Sequence, residues 1–252
     1  MGKNKLKKFA EIERLDCVLQ YPRERLITDG FPHKGKWKEE IFTSPGPIVL
    51  ELGCGKGEYT VGLAKAYPEK NFIGVDIKGA RIWKGAVCVD KENIFNARFL
   101  RTEIENIEHF FSPDEVDEIW ITFPDPQMQK PRKRLTSSRF ILNYAKFLNP
   151  DGIIHLKTDS PFLFEYTRRL IEKNNLEVLK ITDDLYGSGL ADPVTSIKTF
   201  YESQWLSRGK SIKLISFRIT SKNLEEPYSD DIPKDDYRAY ARHNPALTEY
   251  PE

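Results

Sequence analysis

Two stretches of the chain place acids, glycines and an aromatic where they could do chemistry. The first is Glu51-Leu52-Gly53-Cys54-Gly55-Lys56-Gly57-Glu58. Alternate glycines let a backbone turn tightly and approach a ligand closely. A dinucleotide fingerprint reads G-x-G-x-x-G; here the third glycine comes one residue early and Glu58 takes its place. A carboxylate beside a pyrophosphate is repulsive, and no Walker lysine followed by Ser or Thr is present. The ligand is therefore not expected to be held by phosphates. Glu51, on the strand before the loop, suits an amino group. Asp76, 23 residues beyond Gly53, stands where an acid takes ribose hydroxyls in such sheets. A nucleoside without phosphates, joined to an amino-acid cation, describes S-adenosylmethionine. Arg101-Thr102-Glu103, after a later strand, is expected near the adenine edge.

The second stretch is Phe123-Pro124-Asp125-Pro126, continued by Gln127-Met128-Gln129-Lys130-Pro131-Arg132-Lys133-Arg134. Two prolines fix φ around Asp125, so its carboxylate is held, and it is expected at the strand's carboxyl end, beside the methyl group of the cofactor. Phe123 offers a stacking face. The basic run is placed to take phosphates of a nucleic acid whose base enters the pocket. The residues expected around the cofactor are Glu51, Gly53, Gly55, Asp76 and Thr102, with Asp125 close to its methyl group.

Alternating strand and helix patterns position these residues. Strands are predicted at 48–52, 71–76, 97–101, 118–123, 153–157, 178–181 and 212–219, which makes seven. Helical patterns lie between them, including 78–92, 137–148 and 161–174, with Asn149-Pro150-Asp151-Gly152 as a turn. This alternation predicts an α/β fold with a mainly parallel sheet covered on both faces. Ligands in such sheets bind at the carboxyl ends of the strands. The expected organisation is an arm over 1–46, a catalytic domain over 47–221 and an acidic extension over 222–252.

The net charge of +1 over 252 residues argues at first against a nucleic-acid protein. From Lys222 onward, however, eight acids face four bases, so the extension carries −4 and the body +5. Basic clusters at residues 3–8 and 130–134 then permit a polyanion at one face. The extension is expected to lie on the surface or to be disordered, and to screen that face when no polyanion is bound. Cys17, Cys54 and Cys88 share no metal-ligand spacing and read as free thiols in the cytoplasm. No metal site, secretory leader or membrane helix is expected, and no protein partner is required. The four histidines show no catalytic partner, and Trp83, Trp120 and Trp205 read as core or interface.

These residues resemble the bacterial tRNA (guanine-N7-)-methyltransferases over roughly Ile48 to Phe217. The resemblance rests on the 51–57 glycine loop, on Phe123-Pro-Asp-Pro126 with its basic continuation, on Lys157-Thr158-Asp159, and on Thr199-Phe200-Tyr201-Glu202 followed by Arg208-Gly209. It implies a Rossmann-like class I S-adenosylmethionine-dependent fold and methyl transfer to N7 of a guanine in the variable loop of tRNA. It implies cofactor contacts at Glu51, Asp76, the Thr102 region and Asp125, a catalytic or base-orienting role for Asp125, and substrate contacts at Gln129 or its neighbour Lys130, at Asp159, and at Thr199, Phe200, Tyr201 and Glu202. The family's usual Trp after the second proline is Gln127 here, and its tRNA-contacting lysine falls on Gln129. Asp159 could also cap the helix that follows it, and Thr199 and Glu202 have capping-box spacing.

Asp125 could stabilise positive charge developing on the guanine ring, or orient the base through its Watson–Crick edge. The competing readings are a methyltransferase acting on a small molecule or protein, which needs no basic run, and a non-enzymatic RNA-binding module, which leaves Glu51 and Asp76 without purpose.

Overall fold

The computed structural model describes residues 3–236. In chain order the helices and strands are α1 (Lys3–Ile12), β1 (Val18–Gln20), α2 (Arg23–Thr28), β2 (Ile48–Leu52), α3 (Glu58–Ala66), β3 (Asn71–Val75), α4 (Gly79–Lys91), β4 (Ala97–Arg101), β5 (Val116–Thr122), α5 (Ser138–Tyr144), β6 (Leu148–Thr158), α6 (Pro161–Lys173), β7 (Glu177–Thr182), α7 (Phe200–Ser207) and β8 (Lys213–Arg218). The strands form one sheet in the order β1-β4-β3-β2-β5-β6-β8-β7. Pairing is parallel from β1 to β6, and β8 runs antiparallel to both β6 and β7.

β2 and β3 are buried at every position, as strands covered on both faces must be. Alternate side chains sort into two layers. Leu50, Ile73, Ile119 and Leu156 share one core with Phe110, Tyr144 and Tyr166. Val49, Phe72, Phe99 and Trp120 share the other with Tyr59 and Ile82. Trp120 stacks on His155 at 4.0 Å between ring centroids, inside the sheet's cover.

Among the described residues the sheet has eight strands, not the predicted seven. The extra one, β1, pairs with β4 at the edge. Its three residues are all half-buried and leave no alternation to read. The segment 1–46 also sends Leu26, Phe31, Trp37 and Phe42 into the first core. The predicted turn at 149–152 lies inside β6, where the register with β5 shifts between Val116 and Glu118. The helix predicted over 137–148 is α5 alone and stops at Tyr144.

One buried ion pair fixes the irregular stretch between β7 and α7. The Lys157 ammonium, near the end of β6, lies 2.8 Å from both Glu202 carboxylate oxygens, and both side chains are fully buried. It also donates to the carbonyls of Thr195 at 2.6 Å and Ile197 at 3.1 Å. Burial pulls Lys157 below the usual lysine pKa, and Glu202 acts against that. Removing one partner of such a pair leaves a buried uncompensated charge, at a cost of about 3–5 kcal/mol. Lys157→Met is therefore expected to lower unfolding free energy by about that amount in urea titrations. Lys157→Met combined with Glu202→Leu is expected to be the milder variant. A double variant no more stable than the single one would show that the pair does not bear on stability in this way.

Candidate active site

The carboxyl ends of five adjacent parallel strands bring the predicted residues to one sheet edge. Thr102 follows β4, Asp76 follows β3, Gly53 follows β2, Phe123 and Asp125 follow β5, and Asp159 follows β6. From β2 the chain builds outward on one side through β3 and β4 and on the other through β5 and β6, which is the switch point where α/β sheets take ligands.

Gly53 and Gly55 have φ of +80° and +56°, and a Cβ on either would meet nothing within 4 Å. They are glycine because the turn needs positive φ. Gly57 is glycine for packing as well: a Cβ there would stand 2.5 Å from the Phe99 ring. The amides of Gly53 and Cys54 both donate to the Val75 carbonyl, tying the loop to the end of β3. Asp76 continues this brace. Its Oδ2 accepts from the Gly55 amide at 3.0 Å and its Oδ1 from the Lys78 amide at 2.7 Å.

Glu51 is buried and accepts three hydrogen bonds. Its Oε2 takes the Thr60 amide at 2.9 Å and the Thr60 hydroxyl, and its Oε1 takes the Thr122 hydroxyl at 2.6 Å. The acid thus pins the first turn of α3 and the end of β5 to β2. Burial pushes its pKa up to about 7, against the hydrogen bonds from Thr122 and Thr60. Thr102 is nearly buried, with its hydroxyl 3.4 Å from the Glu103 carbonyl. An open glycine turn between two fixed acids, with its one lysine, Lys56, set against the Phe200 ring, fits a nucleoside carrying an ammonium group. S-adenosylmethionine has that chemistry, and Glu51, Gly53, Gly55, Asp76 and Thr102 are the residues that would hold it.

The loop after β5 starts and turns on two non-glycine residues with left-handed φ, Phe123 at +49° and Gln127 at +47°. Such residues are costly and persist where neighbours over-determine them. The Phe123 amide donates to the Lys157 carbonyl at 2.8 Å. The Gln127 amide donates to Asp125 Oδ1 at 3.0 Å, so Asp125 is held by its own turn as well as by its flanking prolines. Asp125, Gln129 and Lys130 are exposed, as are Arg132 and Lys133. Arg134 is not part of that surface: it is 1% exposed.

Asp159 is also buried, at 1% exposure. The cap of α6 is its neighbour Ser160, whose hydroxyl accepts from the Leu163 amide, so Asp159 is not needed for capping. Thr199 and Glu202 do form the capping box of α7. Glu202 has further partners in Lys157 and the Tyr186 hydroxyl at 2.5 Å. Phe200 and Tyr201 are half-buried in the first turn of α7. The Phe200 amide donates to Glu58 Oε2 at 2.7 Å, and the Lys56 ammonium lies 4.3 Å from the Phe200 ring centroid. The 199–202 segment therefore sits against the start of α3, beside the glycine loop.

Sequence reasoning assigned no role to Lys157, Glu58, Thr60, Thr122 or Tyr186. Lys157 carried a usable signal: a charge in a strand covered on both faces needs a buried partner. Glu58 reads in the sequence as a carboxylate that would repel a pyrophosphate, and its contacts with Lys84 and the Phe200 amide leave no local signal there.

Known proteins resemble this chain over most of its length. The family described as "Putative methyltransferase" matches residues 45–215. A tRNA (guanine-N(7)-)-methyltransferase of Bacteroides thetaiotaomicron is 54% identical over 242 residues, 96% of each chain. One of Christiangramia forsetii is 50% identical over 86% of this chain and 99% of its own. One of Oceanobacillus iheyensis is 32% identical over 78% and 92%. Among solved structures, the 16S rRNA methyltransferase KamB has a TM-score of 0.55 at 15% identity, over 73% of this chain and 92% of its own. The 16S rRNA (adenine(1408)-N(1))-methyltransferase of Catenulisporales acidiphilia has a TM-score of 0.54 at 14% identity, over 75% and 94%. The structural likeness fixes the fold as that of the class I methyltransferases, and the sequence identity, sustained over nearly the whole chain, shows that this chain belongs to the tRNA (guanine-N(7)-)-methyltransferase family.

Proposed function

We propose that the protein transfers the methyl group of S-adenosylmethionine to N7 of a guanine in the variable loop of tRNA. The carrying observation is a single sheet edge at which a phosphate-free nucleoside loop adjoins a rigid, exposed acid followed by three exposed cations, Lys130, Arg132 and Lys133. We assign the reaction to the cytoplasm, where the free thiols Cys17, Cys54 and Cys88 persist. Among the described residues no helix is long and apolar enough to cross a membrane.

The cofactor supplies a sulfonium-bound methyl group. Guanine N7 carries an in-plane lone pair and no proton, so the protein need not supply a general base. Asp125 offsets the positive charge that develops on the ring, or accepts from the donors of the guanine Watson–Crick edge; both uses need the carboxylate where the two prolines and Gln127 hold it. Glu51 would hold the amino group of the cofactor and Asp76 its ribose. Gln129, Lys130, Asp159 and the Thr199–Tyr201 turn make the substrate side. Glu202 supports that turn through Lys157 and the capping box.

Incubation with S-adenosylmethionine and unmodified tRNA, then borohydride reduction and aniline cleavage, is expected to give one cut in the variable loop. No cut at any guanine would overturn the reading. Asp125→Asn and Asp125→Ala are each expected to lower kcat by about two to three decades while cofactor affinity stays within a few-fold. Turnover near that of the wild type would remove Asp125 from the mechanism.

Replacing Lys130, Arg132 and Lys133 together by Glu is expected to abolish tRNA methylation and leave cofactor affinity unchanged. Persisting tRNA activity would favour a smaller substrate. Arg134 is left out of that set because it is buried.

Glu51 also predicts a pH dependence. Its folded-state pKa is raised from 4.5 to about 7, so the free folded protein binds this proton more tightly than the unfolded chain. Free-protein stability should therefore fall as pH rises from 4.5 through about 7. An ammonium group opposite Glu51 favours the ionised acid, so cofactor affinity should rise over the same window, with proton release. Calorimetry on Glu51→Gln should show a flatter profile than the wild type. Equal slopes would mean that Glu51 does not face the cofactor's charge.

A further inference from the structure

Charge alone suggests that the acidic extension screens the basic loop, but the contacts of residues 224–235 give it another use. Glu226 accepts from the Ser138 amide at 3.1 Å and the Ser138 hydroxyl at 2.6 Å, at the start of α5, and from the Tyr166 hydroxyl on α6. Asp235 is buried and accepts from the Phe162 amide at 3.0 Å and the Ser160 hydroxyl, at the start of α6. Glu225 pairs with Lys173, and Asp231 with Arg169. Ile232 is 4% exposed and seats the strap in the first core. Four acids of the extension thus face the ends and cations of α5 and α6, not the exposed cations of the loop.

The same strap holds the substrate loop from behind. The buried Arg134 guanidinium donates to the Gln127 carbonyl at 3.3 Å and the Met128 carbonyl at 3.0 Å, and on its other side to the Ser229 hydroxyl at 3.0 Å. It stacks over the Tyr166 and Phe162 rings at 4.4 and 4.8 Å. The Asp235 amide donates to Met128 Sδ at 3.2 Å. Within the loop the backbone bonds are short-range turns, from Lys130 to Gln127, Lys133 to Lys130 and Arg134 to Pro131. The carbonyls next to Gln129 and Lys130 are therefore set by a side chain that the strap holds in place.

We propose that residues 224–235 are a working part of the substrate half of the site. They fix the shape of the loop carrying Asp125, Gln129 and Lys130, with Ser229 and Asp235 as positioning residues for tRNA and not for the cofactor. The proposal rests on the tRNA reading above.

The test uses the full chain with Ser229→Ala or Asp235→Ala. KM for tRNA is expected to rise several-fold to about tenfold, the scale of one lost buried hydrogen bond, with kcat less affected and cofactor affinity within about twofold. Asp235→Asn keeps an acceptor for the Phe162 amide and is expected to recover most of the loss. Amide exchange over 127–134, measured without tRNA or cofactor, should speed up in both Ala variants while the central strands stay protected. Unchanged exchange over 127–134 in both would overturn the proposal, as would cofactor affinity falling in step with tRNA affinity. Should Asp235→Ala not fold, Ser229→Ala, which removes one hydroxyl, carries the test. A loosened loop in a chain whose wild type leaves tRNA unmethylated would sink the tRNA reading alone. An active wild type with an unmoved loop would sink the strap alone.

Discussion

The arrangement of the site depends on one ammonium group buried where a strand would ordinarily carry an apolar side chain. Lys157 has three protons to place, and it places them on Glu202 and on the carbonyls of Thr195 and Ile197. Those carbonyls belong to an irregular stretch that has no ladder to satisfy it, and a buried carbonyl without a donor is costly. An apolar residue at 157 could fill the volume but could not meet that need. The backbone of the same residue accepts the Phe123 amide, where the acid-bearing loop begins. Tyr59 of α3 lies 5.3 Å below the ammonium and donates its hydroxyl to the Val194 carbonyl. The loop after β5, the 183–202 stretch and the helix behind the glycine turn therefore share one anchor.

The acids around this anchor are held before any ligand arrives. Asp76 is fixed by two backbone amides and Glu51 by two threonines, so the glycine turn keeps its shape through hydrogen bonds internal to the protein. Preorganised acids cost less to align during binding than mobile ones. Glu58 closes the circuit. It argues against a pyrophosphate in the sequence, and in the fold its carboxylate takes the first amide of α7 and the Lys84 ammonium. One residue thus joins the glycine loop to the 199–202 turn.

The sequence makes the central sheet legible because burial on both faces writes itself as short apolar runs, and the glycine turn legible because positive φ admits few residue types. It hides whatever depends on a distant partner. β1 has no alternation, since an edge strand of three half-buried residues needs none. Lys157 is visible as a charge in an apolar strand, but its partner lies 45 positions away on a helix whose capping box already accounts for Glu202. Arg134 looks like the last member of an exposed basic run. Its burial is decided by Phe162, Tyr166 and Ser229, the last of them 95 positions downstream.

The same distance between pattern and fold changes what the net charge means. Summed along the chain, the body carries +5 and the extension −4, which invites a picture of two opposed surfaces. In the fold, several of the charges behind those sums face inward or face each other. Lys157 and Arg134 are buried, Glu226 and Asp235 serve helix starts, and Arg169 is shared between Glu165 and Asp231. What the loop keeps for a polyanion is local: Lys130, Arg132 and Lys133, with no acid between Gln127 and Arg139. Screening by salt confines attraction between exposed charges to about 8–10 Å near physiological ionic strength. A near-neutral total is therefore compatible with RNA at this edge, because the phosphates respond to the exposed cations within that range and not to the sum over the chain.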